Sequence, residues 1–446
     1  MHLLERSRTA RGWPRVELAR RLCALGAARG LGLGTGKDGV YRWEEKGREP
    51  DRPTQVVIAE LLGIPEDAVA SRPWPHWLAA DPALQPTFFP WDASGAIQAL
   101  YEVSGSDMDM DRRSFALLTG ATLTTSLWSW LTADPAAAGQ IAHGRRIGEA
   151  AVTHIERRVR ELRHADDTDG GGQLIDETSA SLHMVVRLLK DRSYTGPHGA
   201  RLYAAAADLA RMHAWALFDV RSECSDSTFD AALRSAHASG DTALGAHILA
   251  FWSIAAYNCQ RPADAEAMTQ AALSAARNRT TPRVEAMILT RRARARAHQQ
   301  NKACWSDLGR AAELLDHAEH TGHADPDWAG WFDHCELLGS LASTQLDMDQ
   351  ADRAEATFTQ VAALHPADRV RTHALYLTRQ AEAQWRQNDP ERACATANRA
   401  LDLTEEISSH RTTTPLRELA AGMRTHHSVP AVRDFRERVA ATLDAA

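Results

Sequence analysis

Two stretches of this chain carry residues whose types and spacing can do chemistry. In GLGLGTGKDGVYRWEEKGREP, residues 30–50, Gly34, Gly36 and Gly39 satisfy G-x-G-x-x-G with Lys37 among them. Such a loop brings backbone N–H groups to a phosphate, provided a buried strand precedes it and a helix N-terminus follows. Here the preceding VELARRLCALGAARG is helical in pattern and has no β-branched run. A P-loop fails too, because Leu31 holds the first glycine position and Asp38 follows Lys37. The second stretch places His317, His320 and His323 three apart, with His334 and Cys335 beyond. Positions i and i+3 share a helix face and can hold a metal. Gly322 ends that helix early, however, and H-E-x-x-H is absent, so no metal is assigned. Asp107-x-Asp109-x-Asp111 opens like a calcium loop but lacks its glycine and terminal glutamate. With no G-x-S-x-G or other nucleophile motif, the sequence supports neither an enzyme nor a cofactor.

What remains is the scaffold that would position such residues. The 446 residues allow two or three domains, and the 44% hydrophobic and 24% charged content is that of an ordinary soluble protein. A formal charge of −7 gives no global attraction to nucleic acid. The distribution differs: residues 1–42 hold nine basic side chains against three acidic, a local +6. Six cysteines lie far apart without a C-x-x-C pair, which argues against a disulfide scaffold and fits a cytoplasmic protein. DRRSFALLTGATLTTSLWSWL, residues 111–131, imitates a targeting signal. It sits inside the chain and is diluted by threonine and serine, so it reads as a buried first helix of the next domain, not a membrane span.

Three zones follow: 1–70, a compact basic head; 71–112, a linker strap; 113–446, a long helical body. The strap opens with RPWPHWLAADPALQPTFFPW, whose five prolines forbid a long helix. Its Trp74, Trp77, Phe88, Phe89 and Trp91 predict packing on a neighbouring domain, with DMDMD (107–111) a solvated turn. In the head, LLERSRTARGWPRVELARRL gives a short helix, a Gly-Trp-Pro break and a second helix. Gly36 or Thr35 opens a third, with Val40 and Trp43 facing the core, and QVVIAELLGI is the fourth.

The head resembles the Cro/Xre-type helix-turn-helix family through Arg8, Gly12, Leu18-Ala19, Val40, Trp43-Glu44, Gly47, Pro50 and Leu61-Leu62-Gly63. In that family the third helix enters the DNA major groove. Carried over by position, the resemblance makes Lys37, Asp38 and Arg42 base-facing, with Gly36 at the N-cap. Arg15 then meets phosphate, Arg11 and Lys46 help it, and Glu44 braces the fold. Lys37 or Arg42 can donate to guanine and Asp38 can accept from cytosine. This chain departs from the family in about ten extra residues, roughly AARGLGLGTG, before the third helix. Gly47 also stands one place late. The glycines then serve an elongated elbow.

From about residue 200 the helical pattern repeats. The segments 249–273, 289–314, 337–364 and 377–401 each read as helix, polar turn, helix, with a period near 40 and one longer interval around TGHADPDWAG. No unit buries its apolar face alone, which predicts an all-α solenoid of hairpins behind the helix-turn-helix head. The array resembles tetratricopeptide repeats, keeping A-x3-F at Ala354 and Phe358 but not the usual opening. Regulators of the actinobacterial type pair such a head with such repeats. The resemblance implies a homodimer that binds double-stranded DNA, with a peptide, small molecule or protein as effector in the repeat groove. Trp215, Trp252, Trp305, Trp331 and Trp385 are the candidate groove residues, and Trp328 falls among them. The rival expectation is a protein-interaction scaffold whose head does not read DNA.

Overall fold

The computed structural model describes the chain except residues 1, 10, 12, 72, 82–88, 105–117, 134–145, 169–170, 323, 367–368, 405–408 and 444–446. Among the described residues there are 21 α-helices and no strand. Gly12, Phe88, the DMDMD segment and His323 lie outside the described residues.

The head is built from α1 (Leu3–Thr9), α2 (Arg15–Ala28), α3 (Lys37–Glu45), α4 (Arg52–Leu62) and α5 (Glu66–Ser71). Leu4, Leu18, Leu22, Val40, Val57, Ile58 and Leu62 form its core. Each helix starts and stops for local reasons. Asp51 caps α4 by accepting from the Thr54 N–H at 3.1 Å, a proline follows in the first turn, and Gly63 ends the helix. Between α2 and α3 the elbow folds back on α2, with Leu31 and Leu33 packed on the core. The Cys23 thiol lies 3.0 Å from the Leu33 carbonyl and 3.3 Å from that of Thr35. Of the elbow glycines only Gly30, at φ +74°, needs a glycine's freedom.

The strap divides between two partners. A 3-10 turn, His76–Ala80, belongs to the head: Trp77 is fully buried there and donates its indole N–H to Gln55 at 3.1 Å. Further on, Arg234 of the body donates to the Phe89 carbonyl at 2.5 Å and lies over the Trp91 ring. The remainder of the 71–112 zone is not all linker, because α6 (Ala93–Ser104) is a helix packed against the body. The described part of the apolar run that follows lies mainly in α7 (Gly120–Thr132), the second body helix among the described residues. It buries Leu123, Leu127 and Trp130 while Trp128 stays exposed.

The body continues through α8 (Glu149–Thr168) and α9 (Gly171–Asp191) into six consecutive hairpins. Their inner helices are α10 (Gly196–Arg221), α12 (Thr242–Asn258), α14 (Pro282–Ala297), α16 (His334–Asp347), α18 (Val370–Arg386) and α20 (His410–Gly422). Their outer helices are α11 (Asp226–Ser239), α13 (Pro262–Ala276), α15 (Cys304–Thr321), α17 (Ala351–Leu364), α19 (Pro390–Thr404) and α21 (Pro430–Leu443). The four segments expected from sequence are α12–α13 through α18–α19, and the array runs past them at both ends. Each of those hairpins turns on one left-handed residue: Gln260, Gln300, Asp349 and Asn388. The longer interval comes from the connection 322–333 between α15 and α16. Prolines stand in the first turn of α13, α14 and α19, where a missing N–H costs nothing, and Pro415 lies inside α20. Contrary to the reading of scattered cysteines, Cys224 and Cys259 form a disulfide, because the ends of α10 and α12 abut although 35 residues separate them.

The array closes on itself. Asp219 of α10, fully buried, accepts from Arg371 of α18 at 3.2 Å and from Ser409 at 3.0 Å. Arg371 also reaches Asp166 of α8 at 3.0 Å, and Ser222 pairs with His410 at 2.9 Å. Residues at or beside α10 therefore touch residues at or beside α20 across the interior.

Candidate functional site: the third-helix face and the inner cavity

On the head, α3 turns two kinds of residue in opposite directions. Val40 and Glu44 point inward and are buried, whereas Lys37, Asp38, Tyr41, Arg42, Glu45 and Lys46 are exposed. Gly36 is the N-cap residue in extended conformation, and no side chain caps the first turn of α3. Glu44 fixes this orientation. Its carboxylate accepts from Arg8 at 2.8 and 3.2 Å and from Arg15 at 2.6 Å.

The seven head residues singled out from sequence therefore separate into two sets. Lys37, Asp38, Arg42 and Lys46 share the exposed face with Gly36 at its edge. Arg15 is held by Glu44 and Glu45 and lies over the Tyr41 ring, beside the face. Its hydrogen bond to Glu44 is the chief cause raising its pKa further. Arg11 is turned inward: it donates to both Asp81 oxygens at 2.6 Å and to the Leu62 carbonyl at 2.7 Å. This is a clamp that ties the strap to α1 and α4.

The second site lies inside the array, a cavity of about 640 Å³ bounded by α8, the six inner helices and the connection 322–333. Pockets of roughly 300–1,000 Å³ take small ligands. Phe251 of α12 is its hub. Trp215 meets that ring edge-on at 4.8 Å, His247 at 4.9 Å and Trp331 at 6.2 Å, and the Arg211 guanidinium sits 4.5 Å above it. Trp328 stacks on His247 at 4.1 Å. Arginines cover the outer rings: Arg411 lies 4.6 Å from Trp215 and Arg291 lies 5.5 Å from Trp331. Such cation–ring contacts strengthen where water is excluded.

Most charges here are matched. Asp208 accepts from Arg163 at 2.5 Å and from Arg211 at 2.7 Å; burial opposes its ionisation, but those two arginines hold its carboxyl well below the usual range. Asp347 sits between Arg294 and Arg379, which overcome burial and hold it at about 2. Burial drives His247 far below its ordinary value, so the ring is neutral at pH 7. Burial pushes Glu336 upward, and it accepts from the Tyr376 hydroxyl at 3.3 Å.

Of the five candidate groove tryptophans, Trp215 and Trp331 line the cavity. Trp252 does not: it stacks on Phe229 and donates to Asp226 at 2.6 Å inside the α11–α12 contact. Trp305 packs on the outer side of the core, and Trp385 meets His426 near the chain's end. Sequence reasoning missed Phe251, Arg211, His247 and Arg291. The signal for Trp328 and Trp331 was the interval that breaks the repeat period, since the extra residues deliver both rings to the cavity. The histidine stretch builds nothing comparable. His320 turns to the Asp316 carbonyl and His334 to Glu319, and no metal-holding group of three exists among the described residues.

Residues 4–64, which span α1 to α4, match the SP15 N-terminal domain family. No curated protein matches the chain. Among the described residues no helix is long and apolar enough to cross a membrane.

Proposed function

We propose that this protein is a transcriptional regulator whose head reads double-stranded DNA and whose all-α repeat body takes an effector in the inner cavity. One observation carries the reading: Lys37, Arg42 and Lys46 stand exposed on one face of α3, while Glu44 on its other face is locked by Arg8 and Arg15. A helix held rigidly from behind, with basic side chains at its front, is what insertion into the major groove requires. The likeness to Cro/Xre-type heads supports it. A short head reads few base pairs, so the working form is a homodimer. No catalytic step or cofactor is assigned.

Effector control needs two arrangements that bind ligand unequally. The buried contacts of Asp219 with Arg371 and Ser409 are suited to it, because they join the two ends of the array beside the cavity.

Selection from a random pool of double-stranded DNA, run with the full chain and its Arg42→Ala variant, tests the proposal. An enriched palindrome, lost in the variant, is the expected result. Binding should weaken by about 0.9 log units per neutralised phosphate for each tenfold rise in salt. A second reading, a protein-interaction scaffold, draws on the engagement of Arg11 and Arg15 inside the head and on Asp38 and Glu45 within the α3 face. Absence of any enriched sequence would favour it.

A further inference from the structure

The cavity holds three buried polar nitrogens with no hydrogen-bond partner: Nη1 of Arg211, Nε1 of Trp215 and Nδ1 of His247. These residues are only 3%, 4% and 1% exposed, and all three line the same space around Phe251. A buried donor left unmade costs about 1–3 kcal/mol. The Arg211 and Trp215 donors beside this ring mark a place where something else supplies the acceptors, and the neutral His247 ring nitrogen can take either role.

The charge balance says what kind of group that is. Arg163 pairs with Asp208 and Asp327, and Arg211 pairs with Asp208. Arg294 and Arg379 share Asp347, Arg371 and Arg411 face Asp219, and Arg369 has Asp333. Arg291 differs. Its contacts are the Trp331 ring and a 3.5 Å hydrogen bond to the Ser340 hydroxyl, with no carboxylate within ion-pair distance among the described residues. Glu336, which also lines the cavity, accepts from the Tyr376 hydroxyl, and burial raises its pKa. Of the cavity arginines named, Arg291 is thus the one without a carboxylate partner, and an anion would supply it.

We propose that the cavity binds a small organic acid: a monocarboxylate joined to an apolar, ring-sized body. The carboxylate takes the Arg291 guanidinium and accepts from the unmade donors at Arg211 and Trp215, and the body lies among Phe251, Trp328 and Trp331. A flat carboxylate matches the planar guanidinium of Arg291. An extended peptide fits poorly, because the contacts between α10 and α20 stop the groove from running on.

This rests on the effector reading above, and its test is kept apart from DNA. The full chain is titrated with aryl and alkyl monocarboxylates, each beside its primary amide and its phosphate analogue, following tryptophan fluorescence and thermal shift. The expected result is an acid that binds at least about tenfold more tightly than its amide, a preference lost in Arg291→Gln and kept in Trp385→Phe. Arg291→Lys, which keeps the charge with one donor arm fewer, should fall between. Equal binding of acid and amide, preference for the phosphate, survival of the preference in Arg291→Gln, or no binding by any compound would each overturn the proposal. Acid binding without any change in DNA selection would leave the site standing and remove its role as a sensor.

Discussion

Arg11 separates a bracing role from a DNA-contacting one. Its guanidinium donates to both oxygens of Asp81, 2.6 Å each, to the Leu62 carbonyl at 2.7 Å and to the Ser7 carbonyl at 2.9 Å. The Asp81 side chain is fully buried and that of Arg11 is 18% exposed. Arg11→Ala withdraws the cation from a buried carboxylate and strips a donor from two carbonyls. Breaking such a pair costs about 3–5 kcal/mol, and the partial exposure of Arg11 puts the expectation near 3 kcal/mol. A head of about 80 residues commands roughly 4–12 kcal/mol in total, so the variant head becomes marginal. Hydrogen exchange of the α2 and α4 amides in the full chain reads this directly, with protection in the body as the internal reference. The double variant Arg11→Met/Asp81→Leu should recover much of the loss, since neither partner then leaves a charge behind. At a temperature where the head stays folded, the salt dependence of DNA binding should not change. A loss of head stability below about 1 kcal/mol, together with a salt slope about 0.9 shallower, would show that Arg11 meets a phosphate.

Arg42→Ala should do the reverse, abolishing sequence selection while unfolding shifts by less than about 0.5 kcal/mol, because the side chain is exposed. Gly339→Ala should destabilise the α16–α18 contact by about 1–3 kcal/mol, as an added Cβ would stand 2.2 Å from the Tyr376 ring; urea unfolding of the body measures it. Trp252→Phe removes a 2.6 Å hydrogen bond to buried Asp226 and should lower the unfolding midpoint yet leave ligand quenching of the cavity tryptophans intact. Burial lowers His213 to about 4, so the unfolded chain binds a proton there below pH 6.5 and the folded chain does not. Stability contributed by the neutral ring is complete above pH 6.5 and is lost as pH falls toward 4, by up to about 1.4 kcal/mol per unit. His213→Gln should flatten the pH dependence of unfolding by about one proton across that window.

What was legible in the sequence was whatever repeats or is local. The alternation of helix, polar turn and helix across 249–401 and its spacing near 40 are properties of neighbouring residues, and the structure follows them. Partners distant in sequence were not legible. Arg11 and Asp81 are 70 residues apart, and nothing near Arg11 distinguishes it from Arg42. Cys224 and Cys259 meet because two helix ends abut, which no spacing rule encodes. The cavity shows the same division more sharply. Phe251 lies in a helix apolar on nearly every side, LGAHILAFWSIAAY, where periodicity cannot tell an interior-facing ring from one packed between helices. Trp252, its neighbour, points into the hairpin and Phe251 into the cavity, a choice made by the packing of α11 on one side and α14 on the other. The irregularity was the better guide. A solenoid that keeps its period needs no extra residues between hairpins, so the connection 322–333 had to serve something besides stacking, and it places Trp328 and Trp331 against His247 and Phe251. In repeat proteins the interval that breaks the period is therefore the first place to look for the site.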